Sequence, residues 1–242
     1  MTDRVVLIVG GAGGIGCATA KVMAARGARI ILADIDAARL NSVVASLASA
    51  GALVRGYEVD VRKRPEVAAL IDTVVEEFGR LDVMINAAGV MYMRPLTELN
   101  TDEWDHSIDL NLKGTLWSIA AALPVLLAQR SGHIVTLGSI HGLKVMAGGA
   151  VHSASKFAVR AFSEGLRAEL AHHGVRVTTV MPGAVATGME TKTTGTERER
   201  LRDIYANAIP PAAVANAIAY AVEQPAAVSV NEVVIRPTVQ QI

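Results

Sequence analysis

Val5-Val6-Leu7-Ile8-Val9-Gly10-Gly11-Ala12-Gly13-Gly14-Ile15-Gly16 carries the chain from a run of aliphatic residues into a cluster of glycines, beyond which a helical pattern continues to Arg26. A short apolar run bounded by glycine reads as a buried strand, and the glycines permit a sharp turn into a helix whose first backbone N–H groups stay free. Such a turn is an anion site: a pyrophosphate approaches the backbone without meeting a Cβ, and the helix dipole favours its charge. Gly10, Gly14, Ile15 and Gly16 are the candidate contacts. Cys17 follows in the first helical turn, where it reads either as a redox-active thiol or, in preference, as a small packing residue.

Working outward, the first strand is expected over Arg4–Val9, and similar runs recur at Arg29–Ala33, Leu53–Val59, Val83–Asn86, His133–Leu137, Val175–Met181 and Glu232–Ile235. Between them lie segments of helical period: Gly14–Arg26, Ala37–Ser49, Pro65–Phe78, Asp102–Gln129, Ala150–His172 and Pro211–Glu223. Two of these begin on proline, which a first helical turn accepts. The alternation predicts βαβ units. The expected fold is α/β, one doubly wound Rossmann domain over residues 1–242, with a seven-stranded, mainly parallel sheet and helices on both faces. Gly188–Pro210 departs from this pattern, being polar and threonine-rich with the run Glu197-Arg198-Glu199-Arg200. It reads either as a solvated helix and loop or as a substrate lid.

Lys plus Arg number 23 and Asp plus Glu number 23, so the formal charge is zero and the electrostatic footprint of a nucleic-acid or anionic-membrane binder is missing. A small-molecule partner is expected. The N-terminus lacks the signature of a signal peptide, no apolar run is expected to reach the roughly 18 to 20 residues of a membrane span, and the single Cys17 has no internal disulfide partner. A cytoplasmic protein is the expectation.

Asp34 closes the second strand, eighteen positions beyond Gly16. A carboxylate there accepts hydrogen bonds from both adenosine ribose hydroxyls and repels a 2′-phosphate, which predicts NAD over NADP. Arg29 and Arg39 are the nearby cations, and neither stands at the strand's end.

The glycine turn together with Asp60-Val61, Asn86-Ala87-Ala88-Gly89, Asn111, Ser139, Lys156 and Pro182-Gly183 resembles the short-chain dehydrogenases/reductases over essentially the whole chain. Gly132–Gly142, Ala161–Leu170 and the ending Val230–Thr238 are similar to a branch of short-chain alcohol dehydrogenases whose substrates are poorly defined. The resemblance implies Asp60 and Val61 near the adenine, Asn86 and Gly89 on the adenosine side, Pro182 and Gly183 beside the nicotinamide, and Thr187 at its carboxamide. Val9 stands where the family commonly has threonine, and Ala87 where a second asparagine is usual.

For catalysis the resemblance implies Ser139 as the hydroxyl that polarises a carbonyl, Lys156 as the cation that tunes the acid/base and holds the nicotinamide ribose, and Asn111 behind them. The family places a tyrosine four residues before the lysine, one helical turn away, and here that position is His152. Two readings follow. In one, His152 replaces tyrosine as acid/base in an NAD-dependent oxidation of a secondary alcohol or reduction of a ketone. In the other, the chain binds NAD(H) with weak or no dehydrogenase activity.

His141, two residues after Ser139 on a strand exit, is a further pocket candidate, whereas His106, His133, His172 and His173 read as surface or helix-end residues, and no metal site is expected. Tyr92 and Tyr205 are candidates to approach the pocket from loops, although nothing in their spacing places them there. A homotetramer or dimer is implied by the resemblance, with the Asp102–Gln129 and Ala150–His172 helices pairing between subunits and Ala154, Phe157, Ala158, Ala161 and Phe162 suiting an apolar contact, although core packing explains the same residues.

Overall fold

A strand buried on both faces has to be apolar throughout, and β1 (Val5–Val9) satisfies this with all five residues buried. The computed structural model describes residues 1–193 and 196–240. In it β1 pairs on one side with β2 (Arg29–Asp34) and on the other with β4 (Val83–Asn86). Outside these lie β3 (Val54–Glu58), β5 (Gly132–Leu137), β6 (Val175–Pro182) and β7 (Glu232–Ile235), giving the order β3-β2-β1-β4-β5-β6-β7. Every pairing is parallel, so the sheet is more uniform than the mainly parallel one expected.

Helices cover both faces. On one face, α1 (Gly14–Ala24), α2 (Ala37–Ser49) and α8 (Pro211–Glu223) bury Ala20, Met23, Leu40, Leu47, Val214 and Ile218 against Val6, Ile8, Ile30 and Leu32. On the other, α3 (Arg64–Phe78), α5 (Gly114–Gln129) and α6 (Ala150–Leu170) pack Val67, Ile71, Ile119, Leu126 and Leu166 onto Val5, Leu7, Ile31 and Ile134. Each such aliphatic side chain contributes about 1.5–3 kcal/mol on burial. The chain turns from β1 toward β2 on one side and reaches β4 on the other, which opens a crevice beyond the carboxyl ends of β1 and β4.

The long helix expected over Asp102–Gln129 is three pieces: α4 (Thr101–Ser107), a π-helical turn over Ile108–Lys113, and α5. The π turn rotates Asn111 inward, where it is buried. Together these pieces are long and apolar enough to cross a membrane by length and composition alone. Here Ser118, Ile119, Ala122 and Leu126 are turned toward the interior of the fold. The segment Gly188–Pro210 is not wholly solvated, for it forms a short turn at Met189–Lys192 and α7 (Thr196–Tyr205), with Leu201 buried. Residues 194 and 195 of the expected lid lie outside the described residues.

Candidate active site

The glycine turn lines a groove of about 1350 Å³, open to solvent, running over Gly10, Gly13, Gly14, Ile15, Gly16, Asp34, Asp60, Val61, Gly89 and Thr187. Gly10 adopts φ +79°, and a Cβ there would lie 2.5 Å from the Ala88 backbone nitrogen. A Cβ on Gly16 would run into the Gly10 carbonyl, so both positions require glycine for the turn to close. These features make a cradle that a dinucleotide pyrophosphate fits, with the N-terminus of α1 behind it.

Asp34 stands at the end of β2 with Oδ2 accepting from the Ala12 N–H at 2.9 Å and Oδ1 from the Asp36 N–H at 3.1 Å. Those bonds fix the carboxylate at the groove wall and leave further lone pairs free. Asp60 is held differently. Its two oxygens take a fork of bonds from Arg62, Nε to Oδ1 at 2.8 Å and Nη2 to Oδ2 at 2.7 Å, and this hydrogen bonding holds the carboxyl below its ordinary range. Arg62 and Arg39 both line the groove, so the adenosine end carries two cations that the sequence pattern did not place there.

Deeper in, a pocket brings together Ile15, Gly89, Ser139, His152, Lys156, Pro182, Gly183, Thr187 and Tyr205. It shares Ile15, Gly89 and Thr187 with the groove, so the two are continuous. Thr187 packs against Gly14, where a Cβ would meet its side chain. Lys156 is buried on α6 and donates from Nζ to the Leu137 carbonyl at 2.9 Å. Burial lowers its pKa to about 8. Asn111 clamps Val90, accepting from its N–H at 2.8 Å and donating to its carbonyl at 3.0 Å, with a second donation to Ser155 Oγ at 3.1 Å. A methyl group at Gly89 would come within 3.1 Å of Asn111 Oδ1 and 3.7 Å of Lys156 Nζ, which shows how closely these three converge.

His152 is buried one turn before Lys156. Desolvation first, then the charges of Lys156 and His141, push its pKa well below the ordinary imidazole value, while hydrogen bonding to the Val90 backbone acts in the opposite direction. The ring is therefore neutral at pH 7, and its Nδ1 has no hydrogen-bond partner. Ser139 caps the short turn Ile140–Gly142, its Oγ accepting from the His141 N–H at 3.1 Å.

A second, smaller pocket continues outward from Ser139 between Met91, Met93, Ile140, His141, Met146, Ala184, Leu201 and Tyr205, with Glu197 and Arg200 also on its wall. This is an apolar chamber under α7 with charge on one side. His141 is buried there, lowered to about 4 by desolvation and by Arg200 and Lys156.

The structure thus gathers Gly10, Gly14, Ile15, Gly16, Asp34, Asp60, Val61, Gly89, Thr187, Ser139, His152, Lys156, Pro182 and Gly183 along one continuous surface, with Asn111 bracing it from behind. Asn86 differs. It ends β4 between Val9 and Thr136, and both its amide atoms are buried in the fold without a partner rather than facing the groove. His133, expected at the surface, is buried in β5, where its Nε2 lies 2.7 Å from Thr178 Oγ1. His106 meets the Tyr92 hydroxyl at 2.9 Å. Among the described residues no cluster of His, Cys, Asp and Glu is placed to hold a metal.

Residues 4–198 match the family model described as short chain dehydrogenase. The chain is 40% identical over 243 residues to an uncharacterised oxidoreductase of Staphylococcus saprophyticus, covering 99% of this chain and 98% of that one. Among solved structures it is similar to the closed form of a serine dehydrogenase complexed with NADP+, at TM-score 0.91 and 28% identity, covering 99% and 97% of the two chains. It is also similar to an alcohol dehydrogenase from the archaeon Thermococcus sibiricus complexed with 5-hydroxy-NADP, at TM-score 0.87 and 28% identity, covering 99% and 98%. Fold and groove define an oxidoreductase of the nicotinamide-nucleotide type acting on CH–OH groups of small molecules. The chain belongs to the short-chain dehydrogenase family.

Proposed function

We propose that this protein interconverts a secondary alcohol and a ketone with NAD as the preferred cofactor. The observation that carries the reading is the continuity of the glycine-lined groove with a cavity holding Ser139, His152 and Lys156 at the carboxyl end of the sheet. A bound nicotinamide supplies the hydride donor or acceptor. The remaining work falls to side chains. Gly10, Gly14 and Gly16 leave room for the pyrophosphate, Asp34 takes the ribose hydroxyls, Lys156 takes the second ribose, and Pro182, Gly183 and Thr187 border the nicotinamide. Ser139 donates to the substrate oxygen, and His152 stands where the family carries its tyrosine, as a neutral imidazole in the same pocket.

The apolar, methionine-lined outer cavity supports an uncharged or weakly polar organic substrate. Exposed Ala154, Phe157 and Ala161 on α6 support pairing of that helix across a subunit interface in a dimer or tetramer, and we place the enzyme in the cytoplasm. A sedimentation mass equal to the monomer would remove the oligomer from this reading. Steady-state oxidation of NADH and NADPH against a panel of ketones tests the activity. Turnover supports it, while tight cofactor binding without turnover favours an NAD(H)-binding protein instead.

A further inference from the structure

The family's proton donor is a phenol on α6, and in this chain that position holds an imidazole whose burial keeps it neutral and whose Nδ1 is enclosed without a partner. A neutral imidazole is a weak source of protons, so reduction of a ketone leaves the new alkoxide in need of another donor. One more hydroxyl-bearing residue lines the site. Tyr205, the last residue of α7, lines both the inner cavity with Ser139 and His152 and the outer cavity with Ser139 and His141. Tyr205 packs against the cluster of Met91, Met93 and Leu201. Its hydroxyl has no hydrogen-bond partner among the described residues.

Resting on the oxidoreductase reading above, we propose that Tyr205 is a catalytic residue whose phenol, delivered from α7, donates the proton to the substrate oxygen during ketone reduction. As hydride passes from the reduced nicotinamide to the carbonyl carbon, the C=O π pair moves onto oxygen. That oxygen takes the Tyr205 proton: the phenolic O–H bond breaks, the alcohol O–H bond forms, and the phenolate recovers a proton from solvent. Ketone, reduced cofactor and one solvent proton become alcohol and oxidised cofactor. Burial and the charge of Glu190 raise the Tyr205 pKa to about 12, so the phenol stays protonated at neutral pH, and an alkoxide is basic enough to take the proton.

The test pairs Tyr205→Phe, which keeps the ring and removes only the hydroxyl, with the same change made in a His152→Tyr background. Reduction of acetophenone and 2-octanone is measured alongside calorimetric binding of isobutyramide to the enzyme–NADH complex. Isobutyramide presents a carbonyl acceptor that is not reduced, so its affinity reports the hydrogen bond without turnover. Tyr205→Phe is expected to lower kcat at least tenfold and isobutyramide affinity about fivefold, with NADH affinity unchanged. In the His152→Tyr background the same change should cost less than threefold, because a phenol then stands on α6. A wild type that turns over while Tyr205→Phe stays within threefold on both readouts overturns the proposal and leaves the oxidoreductase reading standing. An equal loss in both backgrounds shows that the hydroxyl serves structure and also overturns it. A wild type inert toward ketones but active as His152→Tyr overturns the Tyr205 role alone. Inactivity of both defeats the oxidoreductase reading together with this one.

Discussion

The imidazoles of His141 and His152 meet edge to face, with ring centres 5.2 Å apart and planes at 70°. His141 lowers the readiness of His152 to take a proton, since two cations at that distance repel. With His133, lowered to about 3 by burial and by Arg176 and Arg4, the fold holds three buried neutral imidazoles.

Stability should therefore fall with acid earlier than carboxylate titration alone produces. An unfolded histidine takes a proton near pH 6.5, whereas folded His133 and His141 wait until about 3 and 4. Their favourable contribution is complete above about pH 6.5 and is lost as pH drops toward those folded values, at up to about 1.4 kcal/mol per pH unit for each ring. Urea unfolding at intervals from pH 7.5 to 4.5 should show this slope, and His133→Gln should make it shallower. A midpoint unchanged between pH 6.5 and 5 contradicts the assignment.

Lys156 gives a slope of the same sign in the alkaline range, because its folded pKa is lowered too. Its ammonium is buried without a carboxylate partner and titrates at about 8 rather than 10.5, so the folded state carries an uncompensated desolvation cost that is relieved as pH rises from 8 to 10.5. Lys156→Met should stabilise the cofactor-free protein by about 1–3 kcal/mol at pH 7 while abolishing turnover. Differential scanning calorimetry with an activity assay reads both effects. A destabilised and active variant would remove Lys156 from the site.

Much of this was legible in the sequence. The seven strands lie where the β-branched runs put them, and the glycine turn leads to the groove that its pattern implied. Other features were hidden for physical reasons. A π turn inserts a single residue per turn, too small a change for hydrophobic period to register, yet it is what buries Asn111. His133 looked like a surface residue because one polar side chain at a strand's start does not disclose that β6 supplies Thr178 as its partner. In α7 the charges at Glu197, Arg198, Glu199, Arg200, Arg202 and Asp203 mask Leu201, Ile204 and Tyr205, whose i, i+3, i+4 spacing is the stripe that packs inward. Arg62 was overlooked because its role depends on folding back onto Asp60, two residues away.

Cofactor choice should rest on Asp34. Its carboxylate is fixed by two backbone N–H groups beside the adenosine groove, where ribose hydroxyls gain acceptors and a 2′-phosphate meets like charge. NAD(H) is expected to bind at least tenfold tighter than NADP(H), about 1.4 kcal/mol. Arg39 and Arg62 on the same groove work against this preference, so Asp34→Ala should bring the two affinities close together, chiefly by weakening NAD(H). Equal affinities for the wild type in calorimetric titration would sink the prediction.

The residue at position 152 gives the sharpest test of the chemistry. Because burial and neighbouring positive charge hold His152 well below the ordinary imidazole pKa, the rate of the native protein should show no transition near pH 6.5 and should stay flat between about pH 6 and 7, below the range in which Lys156 titrates. His152→Tyr places a phenol one turn from Lys156, whose charge favours the phenolate and so eases proton transfer in both directions. If Ser139 and the groove are otherwise competent, that variant should raise kcat for a simple ketone about tenfold or more, corresponding to about 1.4 kcal/mol of recovered transition-state stabilisation. NAD(H) affinity should change little, because position 152 lines the reaction cavity and not the pyrophosphate groove. The outcome that counts against this account is a His152→Tyr variant slower than the native protein whose own rate falls on acidification through pH 6.5, since that pair of results would make the imidazole an adapted, titrating acid/base.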